Sequence, residues 1–402
     1  MRILFIRQYN PFFESGASSN RFRGLIEGLR KNGDTVDIAV SCGFVKPSEK
    51  YMINEKGVYY LSRANHFSYW KARFNNYIFD NFHAFIAMKR LKKIDYNSYD
   101  VIWITKDFQV LKLFDKICTD LKVKTLMELN EYNDFYLNAN YNFLQIHRAK
   151  KANALFQKVV SKIDNFAIMT NTLLEYYKKM AKSDANFIHI PMTVDIDRFK
   201  NVKVESEYEF PYIGFCGSID KTKDGVDILI RAFIKIANKY PQVKLLLVGF
   251  YTYDTPQILK IITDYKMENR IKYLGSLDRS KIPQFICNAT VLALSRPESH
   301  QAEGGFPTKL GEYLAAERPV CVTKVGEIPN YLEDNISAFM ANPGDIDSFA
   351  DALDRALADS RKAKKIAVTG RIIAENQFNS YIQAKRLSNF LKKMLYESKA
   401  IH

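Results

Sequence analysis

The sequence predicts an α/β protein made of two doubly wound parallel-sheet domains, and three observations lead to this prediction. The chain has 402 residues, about twice the length of an ordinary domain. Short apolar runs of strand length alternate with amphipathic segments of helix length, which is typical of a parallel sheet with helices on both faces. The alternation starts again near residue 212, which places a second domain there.

The first domain is predicted over residues 1–200. The apolar run RILFI leads into a turn rich in proline, serine and glycine, NPFFESGASSN. Apolar residues then recur at helical spacing from Phe22 to Leu29, and Gly33 ends this helix. Further strands, with helices between most of them, are predicted for TVDIAV, YDVIWIT, KTLMELN, NFAIMT and FIHIPM.

The second domain is predicted over residues 201–402, and the charged stretch 195–211 is the predicted linker. Amphipathic segments such as GVDILIRAFIKIANKYP separate short apolar runs, and the C-terminal residues, which end in YIQAKRLSNFLKKMLYES, are predicted to be helical. The predicted strands are YIGFCG, KLLLVG, IKYLG, VLALS and PVCVT.

Composition excludes several classes of protein. Hydrophobic residues make up 47% of the chain, which is typical of a globular protein and not of a disordered one. No apolar run is long enough to cross a membrane, and MRILFIRQYNPF lacks the features of a signal peptide, so cytoplasmic residence is expected. The cysteines are expected to be buried thiols, with a zinc or redox site as the alternative. They are Cys42, Cys118, Cys216, Cys287 and Cys321.

The positive charge is unevenly distributed. The formal net charge is +15, and residues 1–200 carry 31 Lys and Arg against 20 Asp and Glu. A basic first half suits an anionic partner, which is membrane phospholipid, a pyrophosphate-bearing acceptor or nucleic acid. Charge alone does not choose among the three.

The loop after the first predicted strand, residues 10–21, is the first candidate site. Ligands of doubly wound sheets bind beyond the carboxyl ends of the strands, so loops in this place are expected to carry the chemistry. Gly16 permits close approach of a ligand to the backbone, and Ser18 or Ser19 can cap a helix whose N-terminus attracts anions. An ordinary turn is the alternative. No GxGxxG motif occurs, which disfavours a nicotinamide-dependent enzyme.

The loop within FCGSIDKTKDGVDILI, residues 215–230, is the second candidate. Gly217 ends a strand, Lys221 and Lys223 follow, and Gly225 opens a helix. A flexible ammonium group beside a helix N-terminus favours a diphosphate, because both attract negative charge. Solvated turn lysines are the alternative.

The stretch RPESHQAEGGFPTKLGEYLAAERPVCVT, residues 296–323, is the third candidate and the densest in charge and glycine. A loop is predicted up to Pro307, and a helix is predicted to begin near Thr308, whose hydroxyl can cap it. Gly304 and Gly305 let a ligand approach the free N–H groups of this helix. Glu312, one turn into the helix, can accept hydrogen bonds from a vicinal diol such as ribose. A flexible loop with a surface glutamate is the alternative.

Three segments together resemble a known family. They are FCGSIDKTKDGVDILIRAF, KLLLVG with IKYLGSL, and GGFPTKLGEYLAAERPVCVT. They resemble the nucleotide-sugar half of a GT-B glycosyltransferase, of the large retaining group called family 4. The resemblance extends over nearly the whole chain and is strongest over residues 212–345. It implies two Rossmann-like domains that face each other across a cleft, the first for the acceptor and the second for the donor, followed by C-terminal helices.

The resemblance also implies an activity. A glycosyltransferase of this kind moves a hexose from a nucleotide-diphosphate donor to a saccharide or lipid-linked acceptor, in cell-surface polysaccharide or glycolipid synthesis. Retention of anomeric configuration, no metal ion and no cofactor other than the donor substrate are expected. The alternatives are a relative with other sugar chemistry, an epimerase or phosphorylase, and a non-catalytic membrane- or carbohydrate-binding module.

The family has two glutamates separated by seven residues, and the second holds the donor ribose. Glu312 matches the second position. The first would fall at residue 304, where this chain has glycine, and Glu303 lies one place earlier. The resemblance implies that Glu303 is the catalytic, sugar-contacting acid, or that backbone amides of residues 304–308 replace it, with Glu298 as a distant candidate.

The family also places a lysine and an arginine on the donor diphosphate. Lys223 resembles that lysine and is the second expected catalytic residue, whereas the arginine position corresponds to Ser218. Lys309 or Lys221 is expected to supply the missing charge, and the nucleobase is expected near YLGSL. The expected donor-binding residues are Gly16, Lys223, Leu277, Gly304, Gly305, Phe306, Pro307, Thr308, Lys309 and Glu312.

The acceptor side is less clearly marked. Glu131, in MELNEYND, is the candidate acceptor contact, with a structural carboxylate as the alternative. The aromatic and basic stretch 66–93 and the basic stretch 147–162 either face the core or rest on anionic lipid at the inner face of the cell membrane. Nucleic acid is not expected as a partner, because no known RNA- or DNA-binding motif accompanies them.

Overall fold

The computed structural model describes residues 1–12, 16–41, 57–61, 80–133, 143–202 and 208–400. The chain divides into two compact units. The first contains Met1–Ile190 and the residues from Gln383 onward, and the second is Pro191–Ile382. Each unit has its own parallel sheet.

The first unit contains a seven-stranded sheet in the order β3-β2-β1-β4-β5-β6-β7, in which every strand pair is parallel. Chain order reverses between β1 and β4, which is a topological switch point. The strands are β1 Arg2–Arg7, β2 Thr35–Val40, β3 Val58–Tyr60, β4 Val101–Ile104, β5 Lys124–Leu129, β6 Asn165–Ile168 and β7 Asn186–His189.

Helices lie on both faces of this sheet. In β1, Ile3 and Phe5 belong to one buried cluster, whereas Leu4 and Ile6 belong to another. Successive side chains of a strand point to opposite faces, so both faces are covered and the strands are apolar throughout. The helices before residue 190 are α1 Ala17–Lys31, α2 Asp80–Leu91, α3 Phe108–Ile117, α4 Phe143–Val160 and α5 Asn171–Lys178.

The second unit contains a six-stranded parallel sheet in the order β10-β9-β8-β11-β12-β13. Its switch point lies between β8 and β11. The strands are β8 Tyr212–Cys216, β9 Lys244–Val248, β10 Ile271–Tyr273, β11 Val291–Leu294, β12 Val320–Thr323 and β13 Phe339–Ala341. The helices are α6 Asp197–Lys200, α7 Val226–Ile236, α8 Thr255–Asp264, α9 Ile282–Asn288, α10 His300–Gly304, α11 Thr308–Ala315, α12 Ile346–Ala358 and α13 Ser360–Ile373.

The C-terminal helix, α14 (Ser380–Ala400), joins the core of the first unit from Gln383 onward. Ala384, Leu387 and Leu391 are fully buried in the cluster that contains Ile3 and Phe5. These positions share one face of a helix, and their burial explains why the end of the chain belongs to the first unit. The units therefore differ from the domains expected at 1–200 and 201–402.

A hydrogen-bonded carboxylate fastens the same helix. Asp34 is buried, and its Oδ2 accepts a hydrogen bond of 2.5 Å from the Ser388 hydroxyl. The Lys392 ammonium lies 3.3 Å from Asp34 Oδ1. Buried carboxylates require such partners, so these contacts stabilise the position of α14 against the turn before β2.

Several sequence expectations fall partly on residues outside the described ranges. These are Cys42, residues 13–15 of the first candidate loop, residues 66–79 of the aromatic stretch and residues 203–207 of the predicted linker. In α2, which continues that stretch, Ala87 and Leu91 are buried while Phe85 is 44% exposed. The four described cysteines are free thiols. Within the described residues, none of the helices combines the length and apolar character needed to span a membrane.

Leu387→Ala tests the place of α14. The change removes a fully buried side chain and is expected to lower the free energy of unfolding by about 2–5 kcal/mol, because it leaves a cavity. Tyr396, on the same helix, is 74% exposed, so Tyr396→Ala should change that free energy by less than about 0.5 kcal/mol. Urea denaturation followed by circular dichroism measures both. Equal effects would contradict the burial of this helix face.

Candidate functional site

The candidate site of the second unit lies at its switch point, where the loops after β8 and β11 adjoin. Gly225 begins α7 with φ +62°, and a Cβ added there would collide with the carbonyl of Ser295, which follows β11. The Ser295 hydroxyl donates a hydrogen bond of 2.7 Å to the carbonyl of Gly225. The Ser295 side chain thus joins the two loops through the Gly225 carbonyl.

An ion pair brings α11 to the same place. Lys309 Nζ donates to Asp224 Oδ2, and the side chains are 17% and 1% exposed. The ammonium group lies over Gly217, where an added Cβ would collide with Nζ and come within 2.9 Å of Asp224 Oδ2. Glycine at 217 therefore leaves the room that the lysine occupies.

The same carboxylate connects Lys309 to residue 218. The Ser218 N–H donates to Asp224 Oδ2 at 3.2 Å, so Lys309 and Ser218 share one acceptor oxygen. Ser218 is the position at which the resemblance expects an arginine. The cation beside Ser218 is Lys309, which comes from α11. The Lys221 ammonium instead donates to Gln257 at 2.8 Å. Of the two lysines considered for this charge, the geometry favours Lys309.

Lys223 lies in the same loop but points into solvent. Its side chain is exposed, and its ammonium makes no hydrogen bond to any described residue. Its backbone N–H donates to Asp220 Oδ1 at 2.7 Å, and that of Asp224 donates to the same oxygen at 2.9 Å. Asp220 therefore shapes the turn. Burial raises the pKa of the Asp220 carboxyl group.

Arg296 is a buried cation that the sequence reasoning missed. It is 4% exposed, and its Nη2 donates to the carbonyl of Gln301 at 3.2 Å. Burial lowers the pKa of its guanidinium group, and the negative charges of Asp224 and Asp220 oppose this effect. The sequence feature that could have identified Arg296 is a charged residue directly after the last residue of an apolar run.

Glu312 lies in α11 and is also paired. The Arg198 Nη1 donates to Glu312 Oε1 at 2.6 Å, and the side chains are 17% and 19% exposed. Arg198, in α6, is the second functional candidate that the sequence reasoning missed. Arg198 and Glu312 are 114 positions apart in the chain, so no local sequence pattern indicates that they pair.

Residues 300–304, predicted as loop, form the short helix α10. The Ser299 hydroxyl caps it by accepting from the N–H of Ala302 at 3.1 Å. Glu303 lies on this helix with its side chain 64% exposed and 4.0 Å from His300 Nδ1. Gly305 has φ −104°, a value that does not require glycine.

The start of α11 also differs from the prediction. Pro307 occupies the N-cap position, and no side chain caps the helix, so the predicted Thr308 cap is wrong. Proline has no hydroxyl, and Thr308 lies one residue too late to cap. The first N–H groups of α11 consequently have no side-chain partner from a cap, which suits an anion. Phe306 is buried against Tyr331 and Phe378, so only its backbone is available to a ligand.

Three glycines, Gly217, Gly249 and Gly275, connect the candidate site to the segment that contains Leu277. The Gly249 N–H donates to the carbonyl of Gly275 at 2.9 Å, and Gly249 has φ +152°. A Cβ on Gly249 would collide with the carbonyl of Gly217, so the loops after β8 and β9 touch through backbone. Leu277 is half-buried in the segment that follows.

The candidates of the first unit lie at its own strand ends. Gly16 occupies the N-cap position of α1 with φ +148° and no side-chain cap. Ser18 and Ser19, the predicted caps, instead accept hydrogen bonds from Arg7 Nη2 at 3.4 and 3.1 Å. Glu131 pairs with the Lys106 ammonium at 3.0 Å and is 37% exposed.

Thiols and possible metal ligands are two further features of the described residues. Burial raises the pKa of the Cys216 thiol to about 12, so this cysteine at the end of β8 is neutral near pH 7 and a poor nucleophile. No group of three or more His, Cys, Asp or Glu side chains that could hold a metal ion occurs in the described part of the chain.

The family model described as Glycosyl transferases group 1 matches residues 210–359. This segment is similar to the group 1 glycosyltransferases. It extends from β8 to α12 and contains both loops, Lys309 and Glu312. The resemblance found in the sequence is confirmed at the level of the family.

A curated relative supports the same family. The chain is 24% identical over 249 residues to a GDP-mannose-dependent monoacylated alpha-(1-6)-phosphatidylinositol monomannoside mannosyltransferase of Corynebacterium glutamicum, covering 59% of this chain and 64% of that protein. Further curated relatives match over 34% to 55% of their own length. The chain thus spans less than two thirds of the curated relatives it matches.

Solved structures show the fold. Sucrose-phosphate synthase from Thermosynechococcus elongatus has a TM-score of 0.75 at 16% identity, covering 98% of this chain and 99% of that one. Anabaena Alr3699/HepE, in complex with UDP and glucose, has a TM-score of 0.67 at 17% identity, covering 98% and 100%. The predicted class, α/β with two parallel sheets of the GT-B type, is confirmed.

Lys309→Met in the group 1 segment is expected to lower the free energy of unfolding by about 3 kcal/mol, because it leaves the buried Asp224 carboxylate without its cation. The double variant Lys309→Met, Asp224→Asn should lose clearly less, since no unpaired charge stays buried. Lys221→Met, which removes an ammonium group that donates to the neutral Gln257 side chain, is the matched control. Urea denaturation measures all three. A single variant as stable as its control would contradict the ion pair.

Proposed function

We propose that the protein is a glycosyltransferase that transfers a sugar from a nucleotide-diphosphate donor to a saccharide or lipid-linked acceptor. One observation carries the proposal. At the switch point of the second sheet, the Lys309 ammonium lies against the bare backbone of Gly217, and Lys309 itself belongs to the uncapped first turn of α11. An ammonium group and a helix N-terminus both attract the negative charge of a diphosphate.

The names of similar proteins support a donor of this class. One relative is GDP-mannose-dependent, and Alr3699/HepE was solved with UDP and glucose and with UDP-glucose. Both donors consist of a nucleoside diphosphate and a sugar.

The proposed chemistry is the stabilisation of a leaving group. Cleavage of the sugar–phosphate bond leaves negative charge on the nucleoside diphosphate, and fixed positive groups lower the energy of that state. Lys309 and the first N–H groups of α11 are already in place, and the exposed Lys223 can fold over the diphosphate. Retention of configuration without a metal ion is part of the proposal, because these cations can supply the charge that a divalent metal would bring.

Two glutamates have separate proposed roles. Glu312 would accept hydrogen bonds from the donor ribose through Oε2, the oxygen that Arg198 does not hold. Glu303 would contact the sugar from α10, and its exposed side chain is free to turn towards it. Backbone amides from Gly304 to Thr308 are the proposed substitute where the family has its first glutamate, and Leu277 would lie near the base.

The acceptor is proposed to reach the protein through the first unit. Residues 1–200 carry 31 Lys and Arg against 20 Asp and Glu, which favours an anionic, lipid-linked acceptor at a membrane surface. Gly16 is proposed as a phosphate contact and Glu131 as an acceptor contact. The relative from Corynebacterium glutamicum acts on a phosphatidylinositol mannoside, by its name, which agrees with an acceptor of this class.

Thermal unfolding with UDP, GDP, ADP and their sugar conjugates tests the donor class. A ligand at 100 times its dissociation constant should stabilise the protein by about 2.7 kcal/mol, because it binds only the folded state. At least one nucleoside diphosphate is expected to raise the unfolding temperature, and the matching monophosphate to raise it less. No response at millimolar concentrations would contradict the proposal.

Glu312→Ala is expected to weaken binding of that nucleoside diphosphate by about 1.5–3 kcal/mol, the size of a hydrogen bond to a charged group. Glu268→Ala changes an exposed glutamate of the same unit and should leave binding unchanged. Isothermal titration calorimetry measures both dissociation constants. Equal affinities for the two variants would remove Glu312 from the donor site.

A further inference from the structure

The hydrogen bond between Arg198 and Glu312 has the geometry of a support for the donor site. Arg198 Nη1 donates to Glu312 Oε1 at 2.6 Å, which is short for a charge-assisted hydrogen bond. Both side chains are about four-fifths buried. The second carboxylate oxygen, Oε2, has no hydrogen bond to any residue that the structure describes. Among the described residues, Oε1 of Glu312 thus has a hydrogen-bond donor and Oε2 has none.

The segment before Arg198 is held firmly in the second unit. The Val194 N–H donates to the carbonyl of Phe378 at 2.8 Å, and the Ser380 N–H donates to the carbonyl of Val194 at 3.0 Å. Ile196 and Phe199, on either side of the arginine, are buried. Arg198 therefore projects from a backbone that packing and hydrogen bonds position, and not from a free loop.

Gly311 brings that segment against α11. A Cβ added at Gly311 would lie 2.7 Å from the Met192 side chain and 3.2 Å from Val194 Cβ. A larger residue would require the Met192 side chain or Val194 to move. Glu312 follows Gly311 directly, so the close approach that glycine permits is what places the Arg198 guanidinium beside the carboxylate.

We propose that Arg198 is a positioning residue that orients Glu312 for the ribose of the donor, an inference that rests on the proposed function. A guanidinium on Oε1 restricts the rotation of the carboxylate, so that Oε2 faces the site as an acceptor for the ribose hydroxyls. Ordering this carboxylate in advance lowers the entropy that binding would otherwise lose. Arg198 then acts through Glu312 and makes no contact with the donor itself.

Arginine suits this role better than lysine. Its planar guanidinium presents N–H groups in fixed directions, whereas an ammonium on a flexible stem does not fix the plane of a carboxylate. The Arg198 guanidinium also lies 5.5 Å from the centre of the Phe199 ring, which limits its own movement. The cation and the carboxylate are therefore oriented together.

A double-mutant cycle with two nucleotides tests the inference. The probes are UDP and 2′,3′-dideoxyuridine diphosphate, or the guanosine pair if GDP and not UDP stabilises the wild type. Arg198→Ala is expected to raise the dissociation constant of the ribonucleotide by about five- to tenfold and that of the dideoxynucleotide by less than about twofold. In a Glu312→Ala background, the same change should have little effect on either nucleotide.

Lys200→Ala is the matched control. Lys200 lies on the same short helix and pairs with Asp197 at 2.6 Å in an exposed position, so its loss should leave both affinities unchanged. Arg198→Lys keeps a cation beside Glu312 and is expected to recover part of the affinity for the ribonucleotide only. This conservative variant also serves if Arg198→Ala does not fold, because the comparison of the two nucleotides can be made on it alone.

The outcomes separate this inference from the proposed function. If Glu312→Ala weakens the ribonucleotide but neither Arg198 variant does, the positioning role is wrong while the donor site stands. If the Arg198 variants weaken both nucleotides equally, Arg198 does not act through Glu312. If no nucleoside diphosphate binds the wild type, the proposed function itself is overturned.

Discussion

The ion pair between Lys309 and Asp224 is the interaction on which the candidate site depends. A carboxylate with 1% exposure is costly to bury alone, so it requires a cation in contact. Lys309 reaches it only across Gly217, where a side chain would collide with the ammonium. The pair therefore joins the loop after β8, the first turn of α11 and a stretch of bare backbone. The Ser295 hydroxyl donates a hydrogen bond to the Gly225 carbonyl and so connects the loop after β11 to the same site.

Much of the fold could be predicted because parallel strands that are buried on both faces appear as short, nearly continuous apolar runs. β4 (VIWI) and β11 (VLAL) are of this kind, and each is fully buried. The place of α14 could not be predicted in this way. Its apolar stripe shows that one face is buried but not which core receives it. Its hydrogen bond from Ser388 to Asp34 spans 354 positions, and no local pattern contains that information.

In the candidate site, too, some features could be predicted from the sequence and others could not. Glu312 was expected in it because it lies one turn into the predicted helix, and Lys309 or Lys221 was expected because the resemblance implies a second positive charge. Thr308 was expected to cap that helix, but Pro307 takes the cap position. Helix α10 was missed because five residues that end in glycine have little intrinsic helix propensity, and the Ser299 cap stabilises them. The partners of the charged groups, Arg198 and Arg296, come from distant segments and appear only in three dimensions.

The charges of the site also bear on its selectivity. Without a ligand, the site's own carboxylates neutralise its cations, since Asp224 pairs with Lys309 and both Asp224 and Asp220 act on Arg296. An anion that enters must compete with Asp224 for the ammonium. A singly charged anion would only replace one carboxylate by an equivalent charge and gain little. A diphosphate carries more charge and also meets the free N–H groups of α11, so it gains two interactions for the one it displaces. On the proposed function, a buried carboxylate that competes with the donor for the ammonium therefore favours diphosphates over simpler anions.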